Sequence, residues 1–144
     1  FLKDFIENKD GYKLFYHNGK PIKKEKDLQL IFKLTWFATK FDVNAEVNNG
    51  RGPVDYKISK GNTDKTLVEF KLASNSKLKH NIANQVKVYE AANNTNQSIK
   101  VILYFSNSEY LKVHKILEDL NLLDSNNIIL IDACNNKISA SNVK

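Results

Sequence analysis

Apolar positions along the chain alternate between helical and strand spacing, and the switches predict the element order. Leu2, Phe5 and Ile6 recur at helical spacing and predict a short helix over residues 1–8. Asn18-Gly19, between the segments 12–17 and 20–23, is a strong hairpin signal. Residues 26–40 read as a helix with Leu28, Leu30, Ile31, Phe32, Leu34, Trp36, Phe37 and Ala38. Apolar side chains cover most of its circumference, so substantial burial is expected. Three strands follow at 43–48, 54–59 and 66–72, the last two separated by the polar turn 60–65. A second long helix over 77–92 carries Leu78, Ile82, Val86 and Tyr89 on one stripe. Residues 99–105 read as a continuous apolar strand buried on both faces. A leucine-rich helix over 111–123 and a strand over 127–132 complete the order. Helix, three strands, helix, strand, helix and strand make an α/β layered fold around a central mixed sheet.

Composition narrows the class. Of 144 residues 42% are hydrophobic, enough for one core, and a single domain over 1–144 is expected. No apolar run approaches the roughly 20 residues that cross a bilayer. The start, Phe1-Leu2-Lys3-Asp4-Phe5, is interrupted by charge at once, unlike a signal peptide, and a bacterial cytoplasmic location is expected. The chain has no methionine, so a piece of a longer protein with further domains is expected. One cysteine, Cys134, excludes an intrachain disulfide. The net charge of +6 suits an anionic partner, although spread lysines often only solvate a surface. Arg51 is the one arginine, so bidentate base reading by arginine is not the expected mode.

The chemistry concentrates between residues 46 and 71. On the strand 66–72, Glu69 and Lys71 share one face while Val68, Phe70 and Leu72 share the other. Asp55 lies on the preceding strand, and neighbouring strands run about 4.8 Å apart. Asp55 and Glu69 can therefore converge on a hard cation of the Mg²⁺ or Mn²⁺ type, with Lys71 beside it. The plainer reading of the same residues is a salt bridge between Lys71 and one of the acids.

Asp55 with Glu69-Phe70-Lys71 resembles the D…(D/E)-x-K signature of the PD-(D/E)XK nuclease superfamily. Gly50-Arg51-Gly52-Pro53-Val54-Asp55 is similar to the G-R-G-x-x-D form of bacterial members, and Gln85-Val86-Lys87-Val88-Tyr89 to their Q-x-x-x-Y motif. The resemblance covers roughly residues 24–132. It implies a restriction-endonuclease-like core of order α-β-β-β-α-β, here with an extra N-terminal helix and hairpin and a C-terminal α-β. It also implies that Asp55, Glu69 and the Phe70 backbone carbonyl hold Mg²⁺ or Mn²⁺, with Glu46 or Glu25 as further acids. Asp27 competes with Glu25 and reads equally well as a helix N-cap. Lys71 would position or activate the attacking water and Gln85 would contact phosphate or the Glu69–Lys71 region. Tyr89 would brace its helix at the nucleic-acid side. Arg51 reads either as a phosphate contact or as a clamp on a carboxylate such as Glu46.

His17, His80 and His114 have no metal-ligand spacing. Lys20, Lys23, Lys24 and Lys26, with Lys77, Lys79 and Lys87, can flank a nucleic-acid groove or simply form a solvated face. Cys134 has no histidine partner in its sequence context. The expected function is a metal-dependent DNA endonuclease domain in restriction-modification, antiviral defence or DNA processing, with homodimerisation an open matter. The alternatives are an RNA-cleaving toxin-type domain, a non-catalytic nucleic-acid-binding module of the same fold, and an unrelated α/β protein in which these charges only pair structurally.

Overall fold

A computed structural model describes residues 1–35, 42–48, 53–60, 64–90 and 97–137, with side chains described over most of them. The elements are α1 (Leu2–Asn8), a 3-10 turn (Gly11–Phe15), β1 (Tyr16–His17), β2 (Lys20–Pro21) and α2 (Glu25–Thr35). They continue with β3 (Asp42–Asn48), β4 (Pro53–Lys60), β5 (Asp64–Leu72) and α3 (Leu78–Glu90). Last come β6 (Gln97–Tyr104), α4 (Asn107–Asp119) and β7 (Ile128–Asp132). A five-stranded mixed sheet has the order β3-β4-β5-β6-β7, and β1 with β2 forms a separate ribbon. β3, β4 and β5 are antiparallel to one another in turn, while β5, β6 and β7 are parallel. The α/β class and the element order expected from the pattern are those found.

Alternation along β5 and β6 divides the apolar core between the two faces of the sheet. Val68, Phe70 and Leu72 join Val101, Leu103 and Ile131 in a cluster with Ile6, Phe15, Leu28 and Phe32 of the N-terminal elements. On the opposite face Ile102 and Ala73 pack with Leu78 and Ile82 of α3 and with Val113, Ile116 and Leu117 of α4. Phe32, Tyr56 and Phe70 meet ring to ring, with Phe32 and Phe70 centroids 4.3 Å apart. The Tyr56 hydroxyl donates to the Gln29 carbonyl and fixes α2 against β4 as well. α1 is tied to the edge strand β7: Lys3 donates to the Leu130 carbonyl, and the Asp132 amide donates to Glu7.

Four expectations are corrected in detail. The first hairpin strand is mostly a 3-10 turn, so the ribbon is only two residues on each side, closed by Asn18 and Gly19 at φ 50 and 73. This pair of positive φ values is what a two-residue hairpin turn needs. α2 is buried on one side only: Leu28 and Phe32 face the sheet, whereas Leu30 and Leu34 are 64% and 66% exposed. One helix face reaches the sheet, and leucine on the others stays in water. The expected part of this helix beyond Thr35, with Trp36, lies outside the described residues. α4 starts a turn earlier than its leucines suggest, because Ser106 accepts from the Glu109 amide while Glu109 accepts from the Phe105 amide. This reciprocal arrangement nucleates the helix at polar residues. Asp27 is not an N-cap, since α2 already begins at Glu25.

Phe70 is fully buried and meets both other rings, so Phe70→Ala should cost about 3–5 kcal/mol of stability in chemical unfolding. A loss below about 1 kcal/mol would show that the ring cluster does not hold α2 to the sheet. Past β7, Cys134 is half-buried, and burial together with the Asp132 carboxylate pushes its thiol up to about 12. Only the thiolate is nucleophilic. Alkylation of Cys134 in the native protein should therefore be slow at pH 8 and keep rising with pH, while the unfolded chain reacts readily. A plateau of the native rate below pH 10 would contradict this environment.

Candidate active site

The site is built on the second half of β5, between β4 and β6. Described pairs between β4 and β5 run from Lys60↔Asp64 to Tyr56↔Val68, and β5 pairs with β6 through Leu72↔Leu103. One residue beyond the Tyr56↔Val68 pair stand Asp55 on β4 and Glu69 on β5. At the end of β5 the Leu72 amide donates to Glu25 Oε1 at 3.3 Å. Glu25 is the first residue of α2, and the ring cluster that docks α2 brings it here.

Glu25 gathers three groups. Besides the Leu72 amide it accepts from Asn75 Nδ2 at 2.9 Å, and its Oε2 lies 3.5 Å from Lys71 Nζ. Both side chains of this ion pair are largely sheltered, Lys71 at 15% and Glu25 at 25% exposure. The Lys71 salt bridge allowed by the plainer reading therefore exists, with its acid on a helix and not on a neighbouring strand. Lys112 of α4 donates to the Ala73 and Asn75 carbonyls and holds the turn after β5 in place. A polar cleft of about 330 Å³, lined by Lys23, Glu25, Leu72, Ser74, Asn75 and Ser76, opens beside the pair.

Deeper on the same face lies Glu69, only 3% exposed. Its parallel partner on β6 is Lys100, which is 6% exposed. Burial lowers the Lys100 ammonium below the usual lysine range; Glu69 works against that shift and Lys71 adds to it. Glu69, Lys71 and Lys100 are thus within electrostatic reach of one another. The apolar pattern over 99–105 hides Lys100, which the sequence reading does not single out. A signal is nonetheless present: a lysine inside a strand with helices on both sides needs an internal partner.

Glu46 lies on β3, and Gln85 and Tyr89 lie on α3, with side chains outside the described residues, as is that of Asp55. Arg51 lies outside the described residues altogether. Lys77 is exposed just before α3, and its amide donates to Asn75 Oδ1. Lys79 is held by Asp119 of α4, which lowers the Asp119 carboxyl below its usual range. His80 bonds Asn84 on its own helix.

The donor chemistry of Asp55, Glu69 and the Phe70 carbonyl suits a hard divalent cation that keeps several waters. Among the described residues no group of three or more His, Cys, Asp or Glu side chains clusters as a metal cage; the side chains of Asp55 and Glu46 lie outside them. Among them also no helix is long and apolar enough to cross a membrane.

A family model described as Domain of unknown function (DUF8371) matches residues 1–107. No curated protein and no solved structure matches the chain. The matched segment holds the helix acid Glu25, Asp55, the Glu69–Lys71 strand and Lys100, and the chain belongs to this DUF8371 family.

Proposed function

We propose that this chain is a restriction-endonuclease-like domain that hydrolyses phosphodiester bonds of DNA with Mg²⁺ or Mn²⁺. The observation that carries the reading is the convergence of Glu25, from the helix before the sheet, on Lys71 of the Glu69-Phe70-Lys71 strand. A helix acid beside an E-x-K lysine, next to an aspartate on the adjoining strand, is the charge pattern that the resemblance to the PD-(D/E)XK superfamily implies. The order α2, β3, β4, β5, α3, β6 agrees with its core.

Each residue then has a chemical task. Asp55, Glu69 and the Phe70 carbonyl would hold the cation, with Glu46 as a further acid. The ion supplies Lewis acidity and a bound water of lowered pKa. Lys71, oriented by Glu25, places a fixed positive charge against the phosphate in a partly sheltered cleft, where such charge acts strongly on the transition state. Gln85 lies on the helix that follows and would contact phosphate. Arg51, Lys77, Lys79 and Tyr89 would lie along the nucleic-acid backbone, where lysine contacts give salt-sensitive affinity. RNA as the substrate rests on the same residues. A role in restriction or antiviral defence and action as a homodimer belong to this proposal.

The test incubates the protein with plasmid DNA, single-stranded DNA and RNA under Mg²⁺, Mn²⁺ or EDTA. Cleavage should require the metal and prefer DNA, and Glu69→Ala should abolish it. Lys71→Ala should lower the rate about 10²–10³-fold, as for loss of a charge-stabilising donor. Glu25→Gln, which keeps the hydrogen bonds but not the charge, should lower it less, by about tenfold. Cleavage that persists in Glu69→Ala would remove the site assignment. Binding without cleavage under any metal would favour the non-catalytic module, and neither binding nor cleavage would leave the charges as structural pairs.

A further inference from the structure

One side chain in the turn after β5 bonds in two directions. Asn75 Nδ2 donates to Glu25 Oε1 at 2.9 Å, and Asn75 Oδ1 accepts from the Lys77 amide at 2.9 Å, just before α3 begins. The Asn75 backbone is fixed as well: its amide donates to the Leu72 carbonyl, and its carbonyl accepts from the Leu78 amide and from Lys112 of α4. α2 and α3 pack on opposite faces of the sheet, so this half-buried side chain ties the starts of both helices around the end of β5. An amide carries donor and acceptor on one planar group, and both are used here. Aspartate would lose the donor, and serine would fall short of Glu25.

Glu25 Oε1 takes both N–H groups, from Leu72 and from Asn75, which leaves Oε2 facing Lys71 Nζ at 3.5 Å. With the Leu72 amide alone, the carboxylate would swing about a single contact. A second donor, from a turn whose backbone is itself bonded to β5, α3 and α4, fixes its plane. We infer that Asn75 is a positioning residue of this site: it commits Glu25 to Lys71 and thereby sets where the Lys71 ammonium stands. The hold on Glu25 stands on the hydrogen bonds alone; its effect on the rate rests on the nuclease reading proposed above. In this role Asn75 acts on Lys71 only through the acid it holds.

Two measurements separate these halves. In EDTA, thermal unfolding of wild type, Asn75→Asp, Glu25→Gln and the double variant forms a cycle. Asn75→Asp keeps the acceptor for the Lys77 amide and sets a carboxylate against Glu25, so it should lower the Tm by several degrees. Beside Glu25→Gln the same change should cost much less, because the introduced amide can donate to the introduced carboxylate. A loss equal in both backgrounds, or no loss, overturns the hold on Glu25 and leaves Asn75 as a helix cap alone. Should Asn75→Asp fail to fold, Asn75→Ser takes its place in both measurements. Its loss should also be smaller beside Glu25→Gln, since a carboxylate loses more than an amide when a donor is removed, and an equal loss overturns the hold. The second measurement is steady-state DNA cleavage with Mg²⁺. Asn75→Asp should lower kcat about tenfold with KM little changed, as for a displaced transition-state group, and adding Glu25→Gln should lower it no further. An unchanged kcat, or losses that multiply, overturn the positioning of Lys71. No cleavage by the wild type overturns that half together with the nuclease reading, while the unfolding cycle still decides the hold on Glu25.

Discussion

Burial of Phe70 against Phe32 and Tyr56 is the contact on which the arrangement depends. A strand turns successive side chains to opposite faces. Once Phe70 is fixed in the core on the α2 side, Glu69 and Lys71 have to project from the other face, whatever their own preferences. The same rings dock α2, and the start of α2 delivers Glu25 to the end of β5. One aromatic cluster therefore sets two halves of the site: the strand face that presents the charges and the helix that meets them.

The charged residues then sit at two depths. Lys71 and Glu25 form the outer pair beside a polar cleft, sheltered but reachable. Glu69 and Lys100 stand side by side in the inner layer, where water is excluded. Depth matters because charge interactions strengthen as the surroundings lose polarity, and so does the penalty for a charge without a partner. Lys112 secures the turn after β5, whose Ser74, Asn75 and Ser76 line the cleft.

Much of this is legible in the sequence. The three strands, the helix after them and the two parallel strands follow from periodicity, because apolar spacing and turn residues act locally. Alternation alone assigns Glu69 and Lys71 to one face. Less legible are α4, whose start is fixed by the polar Ser106–Glu109 cap and not by its leucines, and α2, where apolar content exceeds what one sheet face can cover. Lys100 escapes notice because its neighbours Ile99, Val101 and Ile102 dominate the pattern, and a single buried charge is visible only through its partner.

The sequence by itself determined the element types, the α/β class and the faces on which the strand charges lie, since these depend on neighbours within a few residues. Which charges meet was decided only in three dimensions. Glu25 precedes Lys71 by most of the antiparallel arm, and Lys100 follows Glu69 after an intervening helix. These placements depend on how α2 docks and on the parallel register of β5 with β6, set by the summed packing of Phe32, Phe70, Val101 and their neighbours. Register and docking are properties of the whole core, because moving a strand by one residue would turn every side chain to the opposite face of the sheet and into the other cluster.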